Sequence, residues 1–210
     1  MNGDDKSPSF SSSIWLPVLL LAGGLVLRAV KLRMGADDPL GNVAPWMALA
    51  FTGAIVFPRA LAWWVWPAAL LAVDILVQGS AALVNFQHIW LVYVCFAAAA
   101  IWGGSLRSRV GVMGTLARVI GCSVGFYLIT NTQAWLVSAA YEKSLTGWIQ
   151  ALTTGIPGFP PTLVFLRNSL LSDLGFSLLL LFAYNAEALM RRFETIPLMR
   201  RHTLTVSPCS

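Results

Sequence analysis

The chain has 210 residues, of which 57% are hydrophobic and only 11% charged, with a mean hydropathy of +0.72. Soluble domains carry about 25% charged residues, so this charge content cannot cover a water-facing globule, while it suits a surface that faces lipid. The net charge of +5 comes from basic residues at the ends of apolar runs, with no basic patch interleaved with aromatics, so no nucleic-acid partner is expected.

In chain order, residues 1–13 form a polar, Ser-rich tail with Asp4, Asp5 and a single basic side chain, Lys6. A secretory signal needs a basic start and a small-residue cleavage site. Here the following apolar run ends in Arg28-Ala29-Val30-Lys31, so it reads as a retained first span. A transmembrane helix takes about 20 mostly apolar residues. Six segments answer to that: 14–34, 44–57, 60–78, 89–104, 110–130 and 162–190. Pro58-Arg59 separates the second from the third by a tight turn, and Gly103-Gly104-Ser105 ends the fourth. The second and fourth are short.

Between the fifth and sixth spans, 133–161 holds Glu142, Lys143, Gln150 and the run Gly155-Ile156-Pro157-Gly158. It is too polar for a span and too apolar for a plain loop, and it reads as a pair of short helices dipping into the outer face. Irregular backbone at membrane depth is tolerated only where protein or a water-filled cavity covers it. The expected fold is therefore an all-α membrane protein, a bundle of about six transmembrane helices with a partly re-entrant outer segment. It comprises a helical domain over 14–190, the tail 1–13 and a basic C-terminal tail over 191–210.

Lys and Arg set the expected orientation. With six spans, Lys6, Arg59, Arg107, Arg109, Arg191, Arg192, Arg200 and Arg201 fall on one side, and Arg28, Lys31, Arg33 and Lys143 on the other. Arg118 and Arg167 lie within spans. The excess predicts both termini in the cytoplasm of a multi-pass inner-membrane protein. In span five, Ala117, Gly121 and Gly125 recur every fourth residue, a small-residue stripe that lets helices approach closely. It serves either packing within the chain, the expected use, or a partner interface.

A charge inside a bilayer costs about 2.5–3.5 kcal/mol at the helix centre on insertion scales, so each one needs a reason. Asp74 shares a helical face with Pro67, Leu71 and Gln78. In span six, Thr162, Phe165, Ser169, Ser172, Asp173 and Phe176 form one stripe that must point into the bundle, while Arg167 points away to snorkel or pair elsewhere. Helical rise brings Asp74 and Asp173 to a similar depth in the outer half. The two carboxylates are read as lining one polar cavity, with Asn131, Asn168 and Arg167 as the nearest donors. The other reading is structural, each carboxylate held by an arginine or a helix terminus. Trp135, Tyr141 and Trp148 follow Asn131 and form either an interfacial belt or a pocket wall.

Catalytic and cofactor signatures are absent from the sequence. It carries no GxSxG, HExxH or P-loop run. Cys95, Cys122 and Cys209 make no CxxC, so no disulfide framework or zinc site is indicated. His88 and His202 stand far apart in sequence, which argues against a bis-histidine haem. Neither enzyme activity, a metal nor a cofactor is expected.

Asn42 to Ala54 (Asn-Val-Ala-Pro-Trp-Met-Ala-Leu-Ala-Phe-Thr-Gly-Ala) resembles the second-span pattern of a bacterial membrane family of unknown function. Val73-Asp74 is similar to that family's Ser-Asp. Phe126-Tyr127-Leu128-Ile129-Thr130-Asn131, with Trp135 and Tyr141, is similar to its Phe-x-x-x-Thr-Asn, Trp and Tyr stretch. Gly147, Ile156-Pro157 and Arg167-Asn168-Ser169-Leu170-Leu171-Ser172-Asp173 follow in the same order. The resemblance covers about 40–185. That family in turn looks distantly like the six-helix substrate-binding components of energy-coupling-factor vitamin transporters. The likeness implies an outward pocket for a vitamin-like small molecule, with Asp74, Asn131, Trp135, Tyr141, Asn168 and Asp173 as ligand-binding positions. It also implies partner transporter subunits and an ATPase, since the chain has no nucleotide site of its own. The rival reading is a structural or assembly subunit of a larger membrane complex without transport activity.

Overall fold

A computed structural model describes residues 15–34, 43–59, 61–62 and 64–200, without the side chains of 80 and 82–89. The expectations placed on the tail 1–13, on Ile14 and Ala60, on the side chain of His88, and on His202, Cys209 and the rest of 201–210 lie outside the described residues. Among the described residues there are seven helices and no strand. They are α1 (Leu16–Met34), α2 (Trp46–Val56), α3 (Val65–Gln78), α4 (Ser80–Ser105), α5 (Val112–Val137), α6 (Leu145–Leu152) and α7 (Thr162–Met190). By length and composition α5 and α7 are long and apolar enough to cross a membrane, while α2, α3 and Trp90–Ser105 of α4 are shorter apolar helices.

The bundle is arranged around α2. Ten of its 11 residues are buried, all except Ala54, and it packs against α1, α3, α4, α5 and α7. A helix that is apolar all round is stable only when surrounded, and the run Trp46-Met47-Ala48-Leu49-Ala50-Phe51 has no polar face to offer solvent. Leu49, Phe51, Val56, Leu70, Val119, Leu180 and Leu181 form the centre of the core. The α2–α4 crossing is so close that a Cβ on Gly103 would run into the Phe51 carbonyl. A side-chain hydrogen bond joins α2 to α7 midway, Thr52 Oγ1 with Ser177 Oγ at 2.8 Å, both buried.

Contacts gather the helix ends. The Glu187 carboxylate at the end of α7 accepts from the backbone N–H groups of Trp15 (2.8 Å) and Leu16, and pairs with Arg191 at 2.8 Å. It thereby satisfies first-turn donors that α1 leaves open. Residues 193–200 fold back on the start of α5, where Pro197 O and Leu198 O accept from Val112 N and Met113 N at 2.9 and 3.1 Å. Asn185 grips Ile196 through both its amide groups. Arg107 donates to Ala54 O at the end of α2, at 2.7 Å through Nη2. One end of the bundle thus collects the start of α1, the α2–α3 and α4–α5 connections and the segment after α7.

Two expectations are corrected. The segment 133–161 contains one short helix, α6, rather than a pair, followed by a turn in which Gly155 and Gly158 hold φ of 72° and 91°. At eight residues, α6 is about 12 Å long at helical rise, far too short for a seventh span. The Ala117-Gly121-Gly125 stripe does not pack within the chain. Ala117 and Gly121 are exposed and a Cβ at Gly121 or Gly125 would meet nothing within 4 Å. The inward face of α5 is Thr115, Val119, Ser123 and Tyr127.

Candidate functional site

At the other end of the bundle, the starts of α2 and α7 and the last turns of α5 enclose a cavity of about 280 Å³. Trp46, Phe96, Phe126 and Phe165 form its apolar walls, and Ser123, Asn131 and Asp173 are among its polar groups. Phe96 and Phe126 stack at 5.5 Å with ring planes 12° apart. Each polar side chain is placed by its own helix. Asp173 comes from the buried stripe of α7, Ser123 from the inward face of α5, and Asn131 is held by its Nδ2 donating to Tyr127 O at 2.9 Å, one turn back.

Asp173 is 3% exposed and accepts from Ala48 N at 3.0 Å and from Ser123 Oγ at 2.7 Å. Ala48 N lies in the first turn of α2, whose N-cap is Pro45 and carries no side-chain cap. The carboxylate thus answers the open N–H groups and the positive dipole end of α2. Among the described residues it has no cationic partner, so its remaining acceptor capacity faces the cavity.

Asp74 belongs to a separate cluster next door. Both its oxygens take the Arg28 guanidinium, Oδ1 from Nε and Oδ2 from Nη2 at 2.8 Å each, and Oδ2 also accepts from the Tyr93 hydroxyl at 2.5 Å. Bidentate pairing of this kind is strong and geometrically specific. The Arg28 guanidinium also lies over the Trp46 ring, 5.4 Å from its centroid, a cation–π contact. This cluster ties α1, α3 and α4 together. The expectation of one cavity lined by both carboxylates is corrected: Trp46, Phe96 and Phe126 wall the Asp173 cavity and also a smaller one lined by Arg28 and Tyr93, and Asp74 lines neither.

The remaining positions separate further. Asn168 is engaged by its neighbour Arg167, whose Nε and Nη2 lie 3.2 Å from its Oδ1. Asn168 does not line the cavity, and among the described residues neither it nor Arg167 touches a carboxylate. Trp135 Nε1 donates to Glu142 O at 2.8 Å, and Trp148 Nε1 to Thr132 Oγ1 at 3.0 Å, so both indoles clamp the 138–148 segment onto α5. Tyr141 is 7% exposed, buried in that segment. Tyr127 OH donates to Leu152 O, joining α6 to the cavity wall.

Sequence reasoning missed Arg28, Trp46, Ser123, Phe96 and Phe126. Arg28 carried a signal, because a lone Arg inside an apolar run needs a carboxylate, and Asp74 is the one within the next two spans. Trp46 and Phe126 stood in the quoted family motifs without a role attached, and Ser123 and Phe96 carried no signal, since they look like ordinary members of apolar helices.

The chain belongs to a family of unknown function, DUF6580, whose model matches residues 9–196. Neither the curated proteins nor the solved structures give a match.

Proposed function

We propose that the chain is a substrate-binding subunit of a small-molecule transporter, seated in the bacterial inner membrane as a bundle of six spans, both termini cytoplasmic. The observation that carries this reading is the Asp173 cavity: aromatic walls, a few convergent polar groups and a buried carboxylate without a cation among the described residues. Small-molecule sites are commonly concave, mostly apolar and fixed by a few polar groups. The occupant that fits is flat, vitamin-like in size, and carries an N–H or amine donor for Asp173.

Several features support the membrane seat. Leu19, Leu76, Leu171, Phe182 and Leu189 stand between 65% and 83% exposed on the outside of the bundle, an apolar exterior that water does not tolerate over so wide an area. At 11 residues, α2 is about 16 Å long against a hydrocarbon core of about 30 Å, but it is ringed by protein rather than lipid, so its ends need no bilayer contact. Arg28 leaves the outer-side tally once it is spent on Asp74, so the basic bias toward the Arg59–Arg107 end is steeper than the loop count implies. In this orientation the Asp173 cavity opens outward. Energy for release of the occupant inward comes from partner subunits with an ATPase, as in the energy-coupling-factor transporters.

Native mass spectrometry of the full chain ejected from membranes tests this reading. Wild type should carry a bound small molecule, and Ser169→Leu, which fills the cavity without touching the Asp173 hydrogen bonds, should lose it while keeping its melting temperature. An empty wild type, or an equal load in the variant, would refute the reading.

A further inference from the structure

At the opposite end of α2 lies a larger cavity, about 330 Å³, whose walls include Leu49, Phe57 and Val65. Among the described residues that line it, three carry donor side chains: Arg59 from the α2–α3 connection, Arg107 from the α4–α5 connection, and Trp66 from α3. Trp66 is 4% exposed, and its Nε1 is buried with no hydrogen-bond partner among the described residues. A buried donor left unpaired costs about 1–3 kcal/mol, so it calls for an acceptor. Arg107 spends Nε and Nη2 on Ala54 O, which leaves its other amino group uncommitted. Neither arginine has an ion pair among the described residues. Burial, and then the neighbouring Arg59 charge, pull the Arg107 guanidinium below its usual range, as expected for two cations that share a site without an anion. No carboxylate among the described residues lines the cavity.

We propose that this cavity is a binding site for a phosphate group borne on an apolar body, the two guanidinium groups and the Trp66 indole N–H holding the oxygens. Guanidinium groups present paired donors that match phosphate oxygens. The apolar walls accept the adjoining hydrocarbon. Both arginines stand in helix connections rather than mid-helix, the level at which lipid headgroups meet a spanning bundle, and basic pockets there take anionic headgroups. The inference rests on the proposed membrane seat but uses no residue named for the outward cavity, so loss of binding at one site leaves the other standing.

The test is calorimetric titration of the full chain in neutral detergent with dihexanoyl phosphatidic acid and, separately, inorganic phosphate. Saturable binding is expected. Arg59→Gln and Trp66→Phe, each checked for an unchanged melting temperature without the probe, should weaken it about tenfold, as for loss of one charge-assisted or buried hydrogen bond. Tighter binding of the lipid than of inorganic phosphate is the expected result, and equal binding of both would overturn the apolar-body part of the proposal. No saturable binding of either probe, or unchanged affinity in either variant, would overturn the proposal.

Discussion

Replacing Asp74 by Asn would leave the Arg28 guanidinium beside Trp46 facing a neutral partner. The Asp74 side chain is 1% exposed and that of Arg28 27%, so water cannot make good the loss. Breaking a buried pair by removing one member costs about 3–5 kcal/mol. Asp74→Asn should therefore lower the free energy of unfolding by an amount in that range, with any small molecule bound in the Asp173 cavity retained in the surviving folded fraction. A variant of wild-type stability that has lost the small molecule would instead make Asp74 part of the binding site. Tyr127→Phe removes the donor to Leu152 O and should cost about 1–3 kcal/mol. Hydrogen exchange should show the loss concentrated in α6, which would open without unfolding the bundle. At this scale the sequence was half legible. That Asp74 and Asp173 face inward followed from periodicity and the cost of charge in lipid. Their partners did not, because a residue 46 positions away (Arg28) or a backbone N–H (Ala48) leaves no mark in local spacing.

Among the helices, two glycines that look alike in sequence behave oppositely. Gly103 lies against the Phe51 carbonyl, whereas Gly121 faces outward with open space around it. Gly103→Val should force α2 and α4 apart and, as overpacking typically does, cost about 1–3 kcal/mol or more. Gly121→Leu should leave the melting temperature in detergent within a degree or so of wild type. A large drop for Gly121→Leu would mean that the outer face of α5 is covered in the folded protein. Periodicity identified the small-residue stripe but could not say which side of α5 the bundle occupies, because apolar residues line both sides. Helix bounds shifted for similar reasons. α4 starts at Ser80 rather than 89, since hydropathy falls at Asn85, Gln87 and His88 while backbone hydrogen bonding continues. α3 starts at Val65 rather than 60, since the chain ahead of it makes turn bonds, from Leu61 N to Pro58 O and from Val65 N to Ala62 O, instead of helical ones.

For the whole molecule, composition and apolar runs were enough to read an all-helical chain, with α2 short and α7 long. What they could not supply was the arrangement in space, in which α2 forms an axis with a different polar chemistry at each end. A carboxylate cavity lies at its start and a guanidinium cavity at its finish. The proposed orientation rests on the basic residues: Arg59, Arg107, Arg191 and Arg200 belong to connections that meet at one end, and Lys31, Arg33 and Lys143 to the other. Tags at the two termini should both be protected from protease in intact spheroplasts and both cleaved in inverted vesicles. The most direct test of the outward-opening site is a single cysteine at Ser169, on the wall of the Asp173 cavity, in a chain otherwise free of cysteine. The account predicts that a membrane-impermeant thiol reagent labels it in intact spheroplasts. Labelling only in inverted vesicles would contradict it.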